Sequence, residues 1–331
     1  MALDLERAVA KLLCVGFDGT EPPEEFLALL RRGASGIILF ARNLGPPPQM
    51  ARLCARLKDA VGRPLLTSID HEGGHVVRIR DGFSTIPAMR EIGKSNDIAR
   101  AREIGKTMGR ELRAVNIDLD FAPVMDVDTN PANPVIGDRS FGDDPALVAK
   151  MGVAVIEGLQ SQSVAACAKH FPGHGDTHLD SHIDLPSLPH DLPRLRKIEL
   201  PPFEAAIKAG VTSIMTAHVI FRALDAEYPA TMSKPVLDGL LRKEFGFEGV
   251  IISDDLEMKA IADHYGVANA IVRGANAGVD LFLVCHTLEQ QNLAIDALVN
   301  AVKSGDVKRE RIEEAGRRID ALMTRFCKPP A

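Results

Sequence analysis

Short apolar runs without polar alternation recur along the chain, at 12–17, 36–40, 65–70, 117–122, 164–169, 212–217, 249–254 and 280–284. Runs of this kind belong to strands covered on both faces. Between them, at 24–32, 49–60, 97–114, 145–160, 192–209, 235–245, 267–277 and 288–303, apolar positions follow a helical period. Strands and helices in strict alternation predict an α/β protein, here a (β/α)8 TIM-type barrel. A doubly wound open sheet would alternate as well. It accounts less well for polar residues gathered after so many different strands, which is where a barrel collects its active site. Residues 307–326 predict an added C-terminal helix, and 327–331, with Pro329 and Pro330, a frayed tail. No linker and no internal repeat divides the chain, so one domain over 1–331 is expected.

After the fifth apolar run comes KHFPGHGDTHLDSH, residues 169–182. Pro172, Gly173 and Gly175 stop a helix from continuing, and no amphipathic period returns before Leu185. An unstructured connection of that length inside a compact domain is more often a binding or catalytic loop than a spacer. His170, His174, His178 and His182 recur every fourth residue, which on a helix would make one metal-binding face. The proline and glycines make that helix implausible, and a solvated polar loop is the bland alternative. A second chemistry-bearing segment ends the seventh run: IISDDLEM, residues 251–258, an apolar strand stopping in carboxylates.

Together the two segments resemble family 3 of the glycoside hydrolases, in its bacterial β-N-acetylhexosaminidase branch. The signature KHFPGHGDTxxDSH followed later by SDDLxM is matched here at every fixed position. The resemblance implies a retaining exo-β-N-acetylglucosaminidase that releases terminal β-linked N-acetylglucosamine, with peptidoglycan fragments as the source. It places the nucleophile at Asp254 and the acid/base at His182, oriented by Asp180. It also assigns sugar contacts to Asp70, Arg78, Arg139, Lys169 and His170. Where the family usually carries Gln and Arg this chain has His71 and His75, a departure at that part of the rim.

The residue types suit this chemistry. Retention requires a carboxylate that attacks the anomeric carbon and an acid that protonates the leaving oxygen. An aspartate beside an imidazole fixes its tautomer and keeps its titration near neutrality, so one group can give a proton and later take one back. Asp255 is expected to face away from Asp254 and hold a loop, and His218 to be a hydrogen-bonded structural histidine. A neutral imidazole does not repel an anion, so β-N-acetylglucosaminide phosphorolysis is a variant of the same mechanism. A β-glucosidase-like specificity is another. Readings from other classes are a metal-dependent amidohydrolase built on the loop histidines and a non-catalytic sugar-binding barrel.

Composition narrows the partners. The 331 residues carry a formal charge of −6 and no Lys/Arg block longer than two, which argues against nucleic acid. No apolar run approaches the roughly 18 residues needed to span a bilayer, and the first 20 residues lack the pattern of a signal peptide. Five cysteines without CxxC spacing, three of them in or directly after apolar runs, read as reduced core thiols of a cytoplasmic protein. The expected partner is a small carbohydrate, with no metal or organic cofactor, and a monomer is the favoured state.

Overall fold

The structure, a computed structural model, describes residues 2–327. Eight parallel strands form one sheet: β1 (Leu13–Val15), β2 (Gly36–Leu39), β3 (Leu66–Ile69), β4 (Leu119–Asp120), β5 (Ala165–Phe171), β6 (Ser213–Thr216), β7 (Val250–Ile252) and β8 (Phe282–Val284). Each pairs with its sequence neighbour, and β1 also pairs with β8 through Leu13 and Phe282. A parallel bridge from Ile252 to Leu281 joins β7 to β8 and closes the ring. Every residue of these strands is buried. Barrel strands are covered by side chains inside and by helices outside, which explains why the sequence shows unbroken apolar runs rather than alternation.

The expected helices surround the ring: α1 (Glu24–Arg32), α2 (Pro47–Val61), α3 (Ile98–Ala114), α4 (Pro145–Ser161), α5 (Pro201–Lys208), α6 (Pro235–Glu244), α7 (Val267–Ala277) and α8 (Leu288–Ser304). Asp97 and Asp144 start α3 and α4 by accepting from the backbone N–H of Arg100 (3.0 Å) and Ala146 (2.9 Å). These two helices meet backbone to backbone. A Cβ on Gly158 would lie 2.4 Å from the Arg102 carbonyl oxygen, so only glycine fits there. One expectation is corrected: 192–209 is not one helix but Leu192–Lys197 followed by α5. Pro201 and Pro202 cannot donate to a preceding turn, so the chain restarts at them.

Helices at Ala2–Ala10 and Met89–Ser95 were not foreseen, whereas the C-terminal helix is present at Arg309–Phe326. Of the tail expected to fray, 327–331, residues 328–331 lie outside the described residues. Cys14, Cys54, Cys167 and Cys285 are buried and free, and Cys327 is free and partly exposed. Among the described residues no helix is long and apolar enough to cross a membrane.

Two buried aspartates brace the N-terminal end of the ring, away from the loops that follow the strands. Asp118 accepts from Lys58 Nζ (2.7 Å), Arg113 Nη1 (2.7 Å) and Thr67 Oγ1 (2.8 Å). Asp280 receives Arg242, Arg311 and Arg318 together. Asp118 and Lys58 are both nearly inaccessible to water, and a buried pair that loses one partner leaves an uncompensated charge. Asp118→Ala should therefore cost about 3–5 kcal/mol of stability. Urea unfolding would measure it, and a loss within experimental error would show that the pair does not brace the barrel.

Candidate active site

The C-terminal ends of the strands enclose a cavity of about 440 Å³. All eight residues singled out in the sequence border it: Asp70 and Arg78 after β3, Arg139 after β4, Lys169 and His170 in β5, Asp180 and His182 in the following loop, and Asp254 after β7. Glu72, His174, Asp255 and His286 border it as well.

One wall is a chain of paired charges. Glu72, buried, accepts from Arg139 Nε (2.8 Å) and Nη2 (2.7 Å), and its Oε1 lies 2.6 Å from Lys169 Nζ. Lys169 also donates to Asp70 Oδ1 at 2.7 Å, and Arg78 stands 3.6 Å from the other Asp70 oxygen. Burial alone would push the Glu72 carboxyl up, but Arg139 and Lys169 hold it well below the usual range. Burial opposes the charge on Lys169 too, and Asp70 and Glu72 overcome it, so its ammonium is held more firmly than in water. The same balance, with Glu72 as partner, raises Arg139. Ionised donors fixed in this way are oriented before any ligand arrives.

Next to this wall, His170 Nδ1 pairs with buried Asp126 Oδ2 at 2.7 Å, leaving Nε2 for the cavity. Asp126 also accepts from the backbone N–H of His174 (2.7 Å) and so fixes the start of the long loop. Loop and barrel approach closely here: a Cβ on Gly175 would sit 1.9 Å from the Val127 carbonyl oxygen. Each of the four regularly spaced histidines takes its own partner. His170 has Asp126, His174 has Thr177 and Ser181, His178 has Asn130, and His182 has Asp180. They do not share a helical face, and among the described residues no three His, Cys, Asp or Glu are grouped to hold a metal.

The far part of the loop reaches into solvent. His182 is 63% exposed, with Nδ1 at 2.7 Å from Asp180 Oδ1, and its backbone N–H donates to the same oxygen at 2.8 Å. Two contacts from Asp180 lock the imidazole against its own backbone and leave Nε2 unpartnered. Asp254 is half-buried on the rim, with one oxygen accepting from the Asp255 N–H at 2.8 Å. Burial would raise its pKa, yet the imidazoles of His218, His170 and His182 and that N–H hold it below the ordinary aspartate value. An ionised carboxylate thus faces the cavity.

Asp255 borders the cavity too, rather than turning wholly from it, but its oxygens are engaged by the backbone N–H groups of Glu257 (3.1 Å) and Cys285 (3.2 Å) and by His286 (3.0 Å). It holds the loop, as expected. His218 is structural, with Nδ1 at 2.7 Å from Thr231 Oγ1 and Nε2 at 2.9 Å from the Asp255 carbonyl oxygen. His71 and His75 part company: His75 is exposed beside Asp138 (3.1 Å), while His71 is buried with neither ring nitrogen paired, and burial lowers its pKa to about 4. Sequence reasoning missed Glu72, Asp126 and His286. A signal existed for Glu72, because residues two apart at a strand end share a face and Asp70 was already in view.

The model of the glycosyl hydrolase family 3 N-terminal domain matches residues 4–322. A β-hexosaminidase of Thiobacillus denitrificans is 43% identical over 257 residues, which cover 76% of this chain and 71% of that protein. Among solved structures, a family 3 β-N-acetylglucosaminidase from Paenibacillus superposes with a TM-score of 0.96 at 45% identity. That match covers 97% of this chain and 62% of the Paenibacillus chain, which is therefore the longer of the two. A β-N-acetylhexosaminidase from Beutenbergia cavernae superposes with a TM-score of 0.89 at 29% identity, covering 97% of this chain and 98% of its own. The chain belongs to glycosyl hydrolase family 3.

Proposed function

We propose that this protein is a retaining exo-β-N-acetylglucosaminidase acting by double displacement. The observation that carries the reading is the meeting, on one cavity, of an ionised Asp254 and the Asp180–His182 pair. Relatives named for β-hexosaminidase and β-N-acetylglucosaminidase activity support the substrate class. In the first step Asp254 attacks the anomeric carbon, and the protonated His182 gives its Nε2 proton to the departing oxygen. In the second step water attacks the glycosyl ester from the side the leaving group vacated, and His182 takes the water proton. Asp180 keeps the other ring nitrogen protonated throughout, so only Nε2 exchanges protons with the substrate.

Asp70, Arg78, Arg139, Lys169 and His170 supply donors and acceptors for the hydroxyls of the sugar. A closed wall of this kind with a loop at its mouth suits a terminal residue, hence exo attack. Peptidoglycan fragments are the proposed source, a cytoplasmic setting fits the free buried thiols, and the barrel is proposed to act as one domain and as a monomer.

Asp254→Asn should reduce turnover of an aryl β-N-acetylglucosaminide by roughly 10³-fold or more, the scale on which nucleophile removal acts, with the circular dichroism spectrum unchanged. Turnover within tenfold of the parent enzyme would take Asp254 out of the mechanism. For His182→Ala the first step on a natural disaccharide should slow by about 10²–10⁴-fold. An aryl glycoside with a good leaving group should lose much less in that step, since it needs little protonation. Equal losses, compared by rapid-quench kinetics, would remove the acid role.

A further inference from the structure

A second Asp–His pair borders the same cavity and has no part in the mechanism above. His286, just after β8, places Nε2 at 3.0 Å from Asp255 Oδ2. With Nε2 the protonated nitrogen beside that carboxylate, the neutral ring presents the Nδ1 lone pair, for which there is no hydrogen-bond partner among the described residues. The ring is half-exposed and held from several sides. It stacks on Phe40, with centroids 5.4 Å apart, and its backbone N–H donates to Glu257 at 2.6 Å. Asp255 is itself pinned to the reacting centre, since its backbone N–H donates to Asp254. The charged groups around the imidazole are Asp255, Glu257 and Arg42. The adjacent Asp255 carboxylate is the largest influence and raises its pKa above the usual histidine value, with burial and Arg42 opposing.

This arrangement parallels Asp180–His182 with the ring nitrogens exchanged, as a charge contact where the other pair is a hydrogen bond. The difference is mechanical: one pair rides on a loop in solvent, whereas the other is fixed between the ends of two barrel strands. We propose that Asp255–His286 is a second proton-handling pair, able to take the proton of the acceptor water in the second half-reaction. The role rests on Asp254 being the nucleophile. As the water oxygen bonds to the anomeric carbon, the ester bond to Asp254 breaks and its electron pair leaves with the carboxylate. When His182 is absent or swung away, the water proton passes to His286 Nδ1, and the imidazolium is held by Asp255 until solvent removes the proton.

The test uses the full chain in a His182→Ala background, with an aryl β-N-acetylglucosaminide whose leaving group needs no acid, so that ester hydrolysis limits turnover. The single variant should show a burst of released phenol followed by slow turnover that rises with pH as the imidazole loses its proton. Adding His286→Ala should preserve the burst, lower the slow phase by a further ~10-fold or more and abolish its rise with pH. Azide, a nucleophile that needs no base, should bring both variants to the same rate. Identical slow phases and pH profiles in the two variants would overturn the proposal while leaving Asp254 in place. A burst lost only in the double variant would also overturn it, by placing His286 in ester formation or folding. A burst absent from both would mean that no ester forms and would defeat the Asp254 reading itself.

Discussion

A carboxylate buried between two cations organises the rim of this barrel. Glu72 cannot stay ionised in the protein interior unless its charge is met, and Arg139 and Lys169 meet it from two different strand ends. The pairing runs both ways, because neither cation would keep its place without the anion. Lys169 is passed on to Asp70, and Asp70 to Arg78, so four ionised groups in contact with Glu72 or with one another draw β3, the loop after β4 and β5 into one wall. Such a wall is rigid because moving any member strands another. It gives a polar ligand donors that are already aimed, with no reorganisation on binding.

Opposite that wall the chemistry is less constrained. Asp254 stands at the end of β7 among imidazoles that favour its anion, and the two Asp–His pairs approach it from different directions, one on a loop and one on the strand ends. The fold separates these duties from stability. Asp118 and Asp280 gather lysine and arginines at the other end of the ring, where the strands begin, so the bracing charges and the reacting charges do not share partners. Polar groups without partners collect near the site instead. His71 has both ring nitrogens unsatisfied, Asp120 one oxygen, and Arg78 one N–H. Unmet polar groups of this kind are destabilising, and a barrel braced elsewhere tolerates them.

Much of this was readable in the chain. Strand positions followed from the apolar runs, since burial on both faces leaves few polar residues in a barrel strand, and those present, such as Ser68, Asp120 and Lys169, are hydrogen-bonded or ion-paired inside it. The loop expected over 169–182 begins only at Pro172, because β5 runs on through Phe171, but Pro172, Gly173 and Gly175 did rule out the helix that would have put four histidines on one face. The pairing of distant charges was not readable. Glu72 and Arg139 are 67 residues apart, and His286 and Asp255 are 31 apart on different strands; only closure of the ring brings each pair together. Asp126 follows Asp118 and Asp120 in the same short stretch, and nothing local distinguishes it as the partner of His170. Helix 192–209 was misjudged because its apolar period runs on through Pro201 and Pro202, where the backbone cannot follow. The family motif supplied the roles of Asp254 and His182, which no periodicity or spacing could have assigned.

The central claim is that Asp254 bonds covalently to the sugar. A fluorinated N-acetylglucosaminide that forms the ester quickly and loses it slowly, followed by proteolysis and peptide mass spectrometry, tests it directly. The account requires a stoichiometric mass increment of one fluorosugar on the peptide bearing Asp254, with fragmentation locating it on that side chain and not on Asp255. An increment on another residue, or inactivation with no increment at all, would contradict it.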